Sequence, residues 1–150
     1  MDVRREIADL LGCAVVDIAP LGGGCVSAVY EARLADDRRV VVKADDSRAG
    51  NLPIEAFMLT YLAERGLPAP AIVAMSDRLL VMEYVMGDSL FDVSAERHAA
   101  ELLAALHSQT APAFGFDGDT LIGGLRQPNT PQSRWLDFFA EQRLVYMAGE

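Results

Sequence analysis

Apolar positions Val3, Ile7, Leu10 and Leu11 recur at the spacing of one helical face, and Gly12 stands where a helix C-cap belongs. From Val15 the pattern shortens to a period of two. Residues 15–21 and 25–34 read as strands, the second setting Val26, Ala28, Tyr30 and Ala32 against Ser27, Glu31 and Arg33. "ADDR" at 35–38 is a turn and "RVVVKAD" at 39–45 a third strand. Pro53 then opens a helix, "PIEAFMLTYLAERG", which Gly66 closes. Two more strands are expected at 71–75 and 79–85, joined by "SDR".

Beyond "VMGDS" the period is helical again. Ser94 is the expected N-cap of "AERHAAELLAALH", in which Ala99, Leu102, Leu103 and Leu106 share a face. A Gly/Pro-rich connection, 111–131, leads to the amphipathic "SRWLDFFAEQRLVYM". The pattern predicts an α+β chain. A five-stranded antiparallel sheet with its helix fills 1–85, and the first helices of a helical lobe fill 86–150.

Composition narrows the function more than the fold. Hydrophobic residues are 51% and charged residues 23%, as in ordinary globular chains. The 22 acidic residues against 13 basic ones, a formal charge of −9, argue against a nucleic-acid partner, which needs a basic surface. No apolar run approaches the roughly 20 residues that cross a bilayer, and "MDVRREIADLLG" is too charged for a secretory signal. Cys13 and Cys25 have neither metal-ligand nor disulfide-framework spacing. These features predict a cytoplasmic protein with no membrane association.

A net negative chain can still hold a phosphate locally, through main-chain N–H groups and one lysine. Between the first two strands lie Gly22, Gly23, Gly24, Cys25, Ser27 and Val29, a G-x-G-x-x-S-x-V pattern. It matches the glycine loop of protein kinases with serine at the third glycine. Lacking Cβ, such a loop brings backbone N–H groups close to phosphate oxygens. The same glycines also suit a plain hairpin. Lys43 lies within the apolar run "VVVK", where a charge needs a partner, and could reach the phosphates beneath the loop. Glu55, in the first turn of the next helix, would orient it; a carboxylate there also suits the helix dipole. The strand "LLVMEYV" followed by Gly87 matches the hinge between kinase lobes. There Met82 would gate the pocket and the main chain of Glu83, Tyr84 and Val85 would carry adenine.

The stretches "FGFDGDTLIGGLRQPN" and "WLDFFAEQRL", with "LGGGCVSAVYEARL" and "EAFML", resemble the fructosamine kinase (ketosamine-3-kinase) family. That family is a branch of the aminoglycoside-phosphotransferase-like kinases. The resemblance implies a protein-kinase-like small lobe and an ATP- and Mg²⁺-dependent enzyme. Such an enzyme phosphorylates the sugar 3-hydroxyl of a ketoamine small molecule or glycated protein, a step of protein deglycation. By that likeness Gly22, Gly24 and Ser27 cover the phosphates, Lys43 holds them and Glu55 braces Lys43.

Family members continue with a His-Gly-Asp-type catalytic loop, and no His-Gly-Asp occurs here. The expectation is therefore an N-terminal, nucleotide-binding portion with no catalytic residue of its own, inactive by itself. Self-association through exposed Trp135, Phe138 and Phe139 is also expected. An aminoglycoside- or choline-type kinase shares the small lobe, and a noncatalytic nucleotide- or partner-binding module is the reading from another class.

Overall fold

The computed structural model describes residues 2–22, 27–45, 51–87 and 90–149. The chain forms two compact units, Met1–Asp88 and Ser89–Glu150.

The first unit opens with α1 (Val3–Leu11), capped by Asp2, whose carboxylate accepts from the Arg5 amide at 3.3 Å. Gly12 ends the helix at φ 62°, a left-handed conformation that glycine enters without a Cβ penalty. Strands β1 (Val15–Pro20), β2 (Ala28–Leu34) and β3 (Arg39–Ala44) follow, then α2 (Asn51–Glu64), β4 (Ile72–Met75) and β5 (Leu79–Glu83). The sheet runs β1-β2-β3-β5-β4 with every neighbouring pair antiparallel. This is the expected five-stranded architecture.

Period-two alternation divides this sheet into two chemically distinct faces. Val40, Val42 and Ala44 of β3, with Leu79 and Val81 of β5, join Ile7 of α1 in one buried cluster. Leu80 and Met82 join Leu52 and Ala56 of α2 in another, with Val41 packed against it. Helix α1 therefore covers one side and α2 the other. Residues 41 and 43 of β3 face α2 because residues 40, 42 and 44 face α1.

Several boundaries differ from the sequence pattern. Helix α2 starts at Asn51, not Pro53. Proline is tolerated at its third position because first-turn amides lack an intrahelical acceptor anyway. Glu55 consequently lies one turn into the helix, not at its start. Strand β5 stops at Glu83, two residues short of Val85, and β4 begins at Ile72. The β2–β3 turn places Asp37 at φ 67°, a left-handed position that aspartate tolerates. In that turn Arg38 donates to Asp36 at 2.7 Å and holds the Asp36 carboxyl below the usual carboxylate range.

The second unit contains α3 (Val93–His107), a hairpin of β6 (Thr120–Ile122) and β7 (Leu125–Gln127), and a helical run. That run comprises α4 (Trp135–Phe139), a π-helical stretch (Ala140–Val145) and α5 (Tyr146–Gly149). The N-cap of α3 is Asp92, not Ser94. Its carboxylate accepts from the Ala95 amide at 2.9 Å, and a carboxylate satisfies a first-turn donor and the helix dipole together. Asp92→Ala should cost about 1 kcal/mol of stability, read as a lower urea midpoint; Ser94→Ala should leave that midpoint nearly unmoved.

The hairpin falls within the stretch expected to be a bare connection. Buried Asn129 knits the stretch together. Its Nδ2 donates to the Gly118 carbonyl (2.9 Å) and the Thr120 hydroxyl (3.0 Å), and its Oδ1 accepts from Arg143 at 2.6 Å. Phe138 is not exposed as expected: it is buried at 6%, with the Arg143 guanidinium 4.8 Å from its ring centroid. Trp135 at 50% and Phe139 at 39% do remain exposed. Among the described residues no helix is long and apolar enough to cross a membrane.

Candidate functional site

The site residues converge because three local features agree. The glycine hairpin is closed at its base by the Leu21 amide, which donates to the Val29 carbonyl at 2.8 Å. Gly23, Gly24 and Cys25 lie outside the described residues. At Gly22 a Cβ would meet no atom of the described residues within 4 Å, and the backbone is not left-handed. Val29, one strand residue past the hairpin, pairs directly with Lys43 on β3.

Lys43 occupies the central strand between Val29 and Leu80. Its face is the one covered by α2, and Glu55 projects from that helix. The Lys43 Nζ lies 2.5 Å from Glu55 Oε1, with the two side chains 23% and 29% exposed. This is a half-buried, charge-assisted hydrogen bond. It answers why an ammonium stands in an apolar strand, since its partner comes from the helix packed on that face.

Met82 pairs with Val41, two positions along the same face, and is 6% exposed among Leu52, Ala56 and Leu80. The Glu83 amide donates to the Ala71 carbonyl at 2.8 Å, and Glu83 Oε2 accepts from the Ala71 amide at 3.4 Å. Glu83 therefore has its carbonyl, not its amide, to offer a ligand. Tyr84 lies beneath the Arg39 guanidinium, 3.7 Å from carbon to ring centroid, and Val85 is 64% exposed. The structure thus gathers Val29, Lys43, Glu55 and Met82 on one sheet face, with 83–85 following the end of β5.

Sequence reasoning missed Arg39 and Glu31. Arg33 and Arg39 pair directly across β2 and β3, an unfavourable juxtaposition, and Glu31 is the diagonal neighbour that relieves it. Arg39 Nε donates to Glu31 Oε1 at 2.8 Å, and this bond pushes the guanidinium's pKa further up. The four-residue turn "ADDR" contained the signal, because its length fixes that register.

No group of three or more His, Cys, Asp or Glu suited to a metal ion occurs among the described residues. A hollow of about 460 Å³ in the second unit is lined by Phe114, Phe116, Asn129, Trp135 and Arg143. Its Asn129 and Arg143 are bonded to each other, as above.

A five-stranded antiparallel sheet, with a lysine of the central strand paired to a glutamate of the helix packed on it, is a protein-kinase-like arrangement. The chain also matches the fructosamine kinase family model over residues 2–149, and it belongs to that family. Among its relatives, the Enterococcus faecium protein named a probable ketoamine kinase is 47% identical over 152 residues, covering 96% of this chain and 51% of that protein. A probable ketoamine kinase of Escherichia coli is 32% identical, covering 95% of this chain and 52% of that protein. The crystal structure of a candidate fructosamine-3-kinase from Thermobifida fusca superposes with a TM-score of 0.79 at 37% identity, over 98% of this chain and 53% of that one. A streptomycin–ATP complex of an aminoglycoside phosphotransferase shares the fold alone, at a TM-score of 0.54 and 20% identity. The chain spans about half the length of the curated relatives it matches.

Proposed function

We propose that this chain is the nucleotide-holding part of an ATP-dependent ketosamine-3-kinase. The observation that carries the reading is the Lys43–Glu55 pair on the sheet face beside the base of the glycine hairpin. Val29 supports it, because its direct pairing with Lys43 sets the start of β2 beside the ammonium.

In this reading the amides of the Gly22–Ser27 hairpin cover the triphosphate and Lys43 holds its oxygens, while Glu55 keeps the ammonium aimed inward. Met82 closes the space behind the base, and the Glu83 carbonyl and Val85 amide meet the adenine edge. The 3-hydroxyl oxygen of the ketoamine attacks the γ-phosphorus, the bond to the β–γ bridging oxygen breaks, and ADP leaves. The chain's part is positioning and charge neutralisation, on which phosphoryl transfer depends. Mg²⁺ would supply further neutralisation. Its ligands, and the aspartate that takes the hydroxyl proton, are not assigned to any of the 150 residues.

The test is calorimetric titration with ATP, then phosphate transfer to fructosamine and ribulosamine acceptors set against aminoglycosides, using the full-length protein. ATP binding and phosphorylated ketoamine are expected. Phosphorylated aminoglycoside alone would move the protein to the sister branch, and no nucleotide binding would remove the proposal. Glu55→Gln should weaken ATP binding less than loss of Lys43 does, because an amide still accepts the ammonium hydrogen bond without its charge.

A further inference from the structure

Four residues before Lys43, on the same face of β3, Arg39 anchors a cluster that the reading above leaves unused. Its Nε and Nη2 both approach a single Glu31 oxygen, at 2.8 and 2.7 Å. Its guanidinium carbon lies 3.7 Å from the Tyr84 ring centroid. Three segments of the first unit meet there: β2 through Glu31, β3 through Arg39, and the chain just past β5 through Tyr84. With Glu31 neutralising the guanidinium and Tyr84 occupying one of its faces, Arg39 is poorly placed to act as a second phosphate ligand.

Tyr84 is the first residue beyond the β5 ladder, which ends at Glu83. Its flanking groups, the Glu83 carbonyl and the Val85 amide, are those assigned to the adenine edge. Strand rise separates Arg39 from Lys43 by about 13 Å. An extended nucleoside triphosphate laid along β3 with its phosphates at Lys43 therefore brings its base to the Arg39 end.

We infer that Arg39 is a positioning residue for the nucleoside. Stacked on Tyr84, it fixes the main chain of 83–85 in the conformation that presents the adenine edge, and Glu31 fixes Arg39 in turn. This inference rests on the nucleotide reading above. Lysine is a poor replacement, because it keeps a cation over the ring but loses the planar fork onto Glu31.

Calorimetric titration of the full-length protein with adenosine, ATP and inorganic tripolyphosphate separates the two ends of the site. Arg39→Gln and Tyr84→Leu should each raise the Kd for adenosine and for ATP by the same factor, about three- to tenfold, and leave tripolyphosphate unchanged. The double variant should be no worse than either single one, because both remove one contact, and Arg39→Lys should recover part of the loss. Lys43→Ala should show the converse, weakening ATP and tripolyphosphate but not adenosine. Equal weakening of adenosine and tripolyphosphate by Arg39→Gln, with a fall in Tm, would make Arg39 merely structural and overturn the inference. Unchanged adenosine binding would overturn it too. If the unaltered protein binds neither adenosine nor ATP, the nucleotide reading itself fails; if it binds both and only the Arg39 results are absent, this inference alone fails.

Discussion

Replacing Lys43 with alanine will raise the Kd for ATP by roughly ten- to a hundredfold, the equivalent of about 1.5–3 kcal/mol for hydrogen bonds to a charged partner. The ammonium is already oriented by Glu55 at 2.5 Å, so little ordering remains when phosphate arrives. The fold should survive the change. Both side chains are about a quarter exposed, and Glu55 can turn its carboxylate to water once its partner is gone. Thermal melts of the unaltered protein and the variant, with and without ATP, check both statements. The apo curves should nearly coincide, while the nucleotide-dependent rise in Tm should shrink. An undiminished rise would take Lys43 out of the site.

Gly115→Ala will be the most damaging small substitution in the second unit. Gly115 has φ 147°, and a Cβ there would lie 2.7 Å from the Asn129 carbonyl oxygen and 2.8 Å from Pro131 Cα. Both obstacles are main chain, so no side-chain rotation relieves them. The neighbours are committed as well. The Asn129 carbonyl accepts from the Phe116 amide at 3.1 Å, and Phe114 and Gln132 exchange amide–carbonyl bonds of 2.9 and 2.7 Å. Opening this pinch should cost about 2–3 kcal/mol. Urea unfolding followed through Trp135, the one tryptophan, should show the midpoint falling. A midpoint equal to that of the unaltered protein would mean that the loop yields freely.

The parts of the fold that could be read in advance are those set by local period. Val40 and Val42 against Val41 and Lys43 announce a two-faced strand, and a charge on the second face requires a partner there. Glu55 follows from the next helix, although its place in that helix depends on where the helix begins. Proline at 53 suggested a start that the first-turn amides do not require. The β6–β7 hairpin lay hidden because three-residue strands are too short for a period to show. Its turn signal, Gly123–Gly124 between Ile122 and Leu125, was nonetheless present. Phe138 could not be placed, since its burial depends on Arg143 reaching from the π-helical stretch to Asn129 and Pro128. The Arg39–Tyr84 stack joins residues 45 positions apart in sequence, through a sheet order that alternation cannot supply.

Strand β3 carries two separate obligations on alternate residues. Val40, Val42 and Ala44 answer only to the interior shared with Ile7, whereas Arg39 and Lys43 answer to whatever lies against the opposite side. If the proposed phosphotransfer were lost, Arg39 and Lys43 could both give way to uncharged residues and the strand still fold, keeping its even-numbered aliphatics and Val41, which packs against the other cluster. Such a loss would be written along β3 at Arg39 and Lys43 alone, between aliphatics that the two cores preserve.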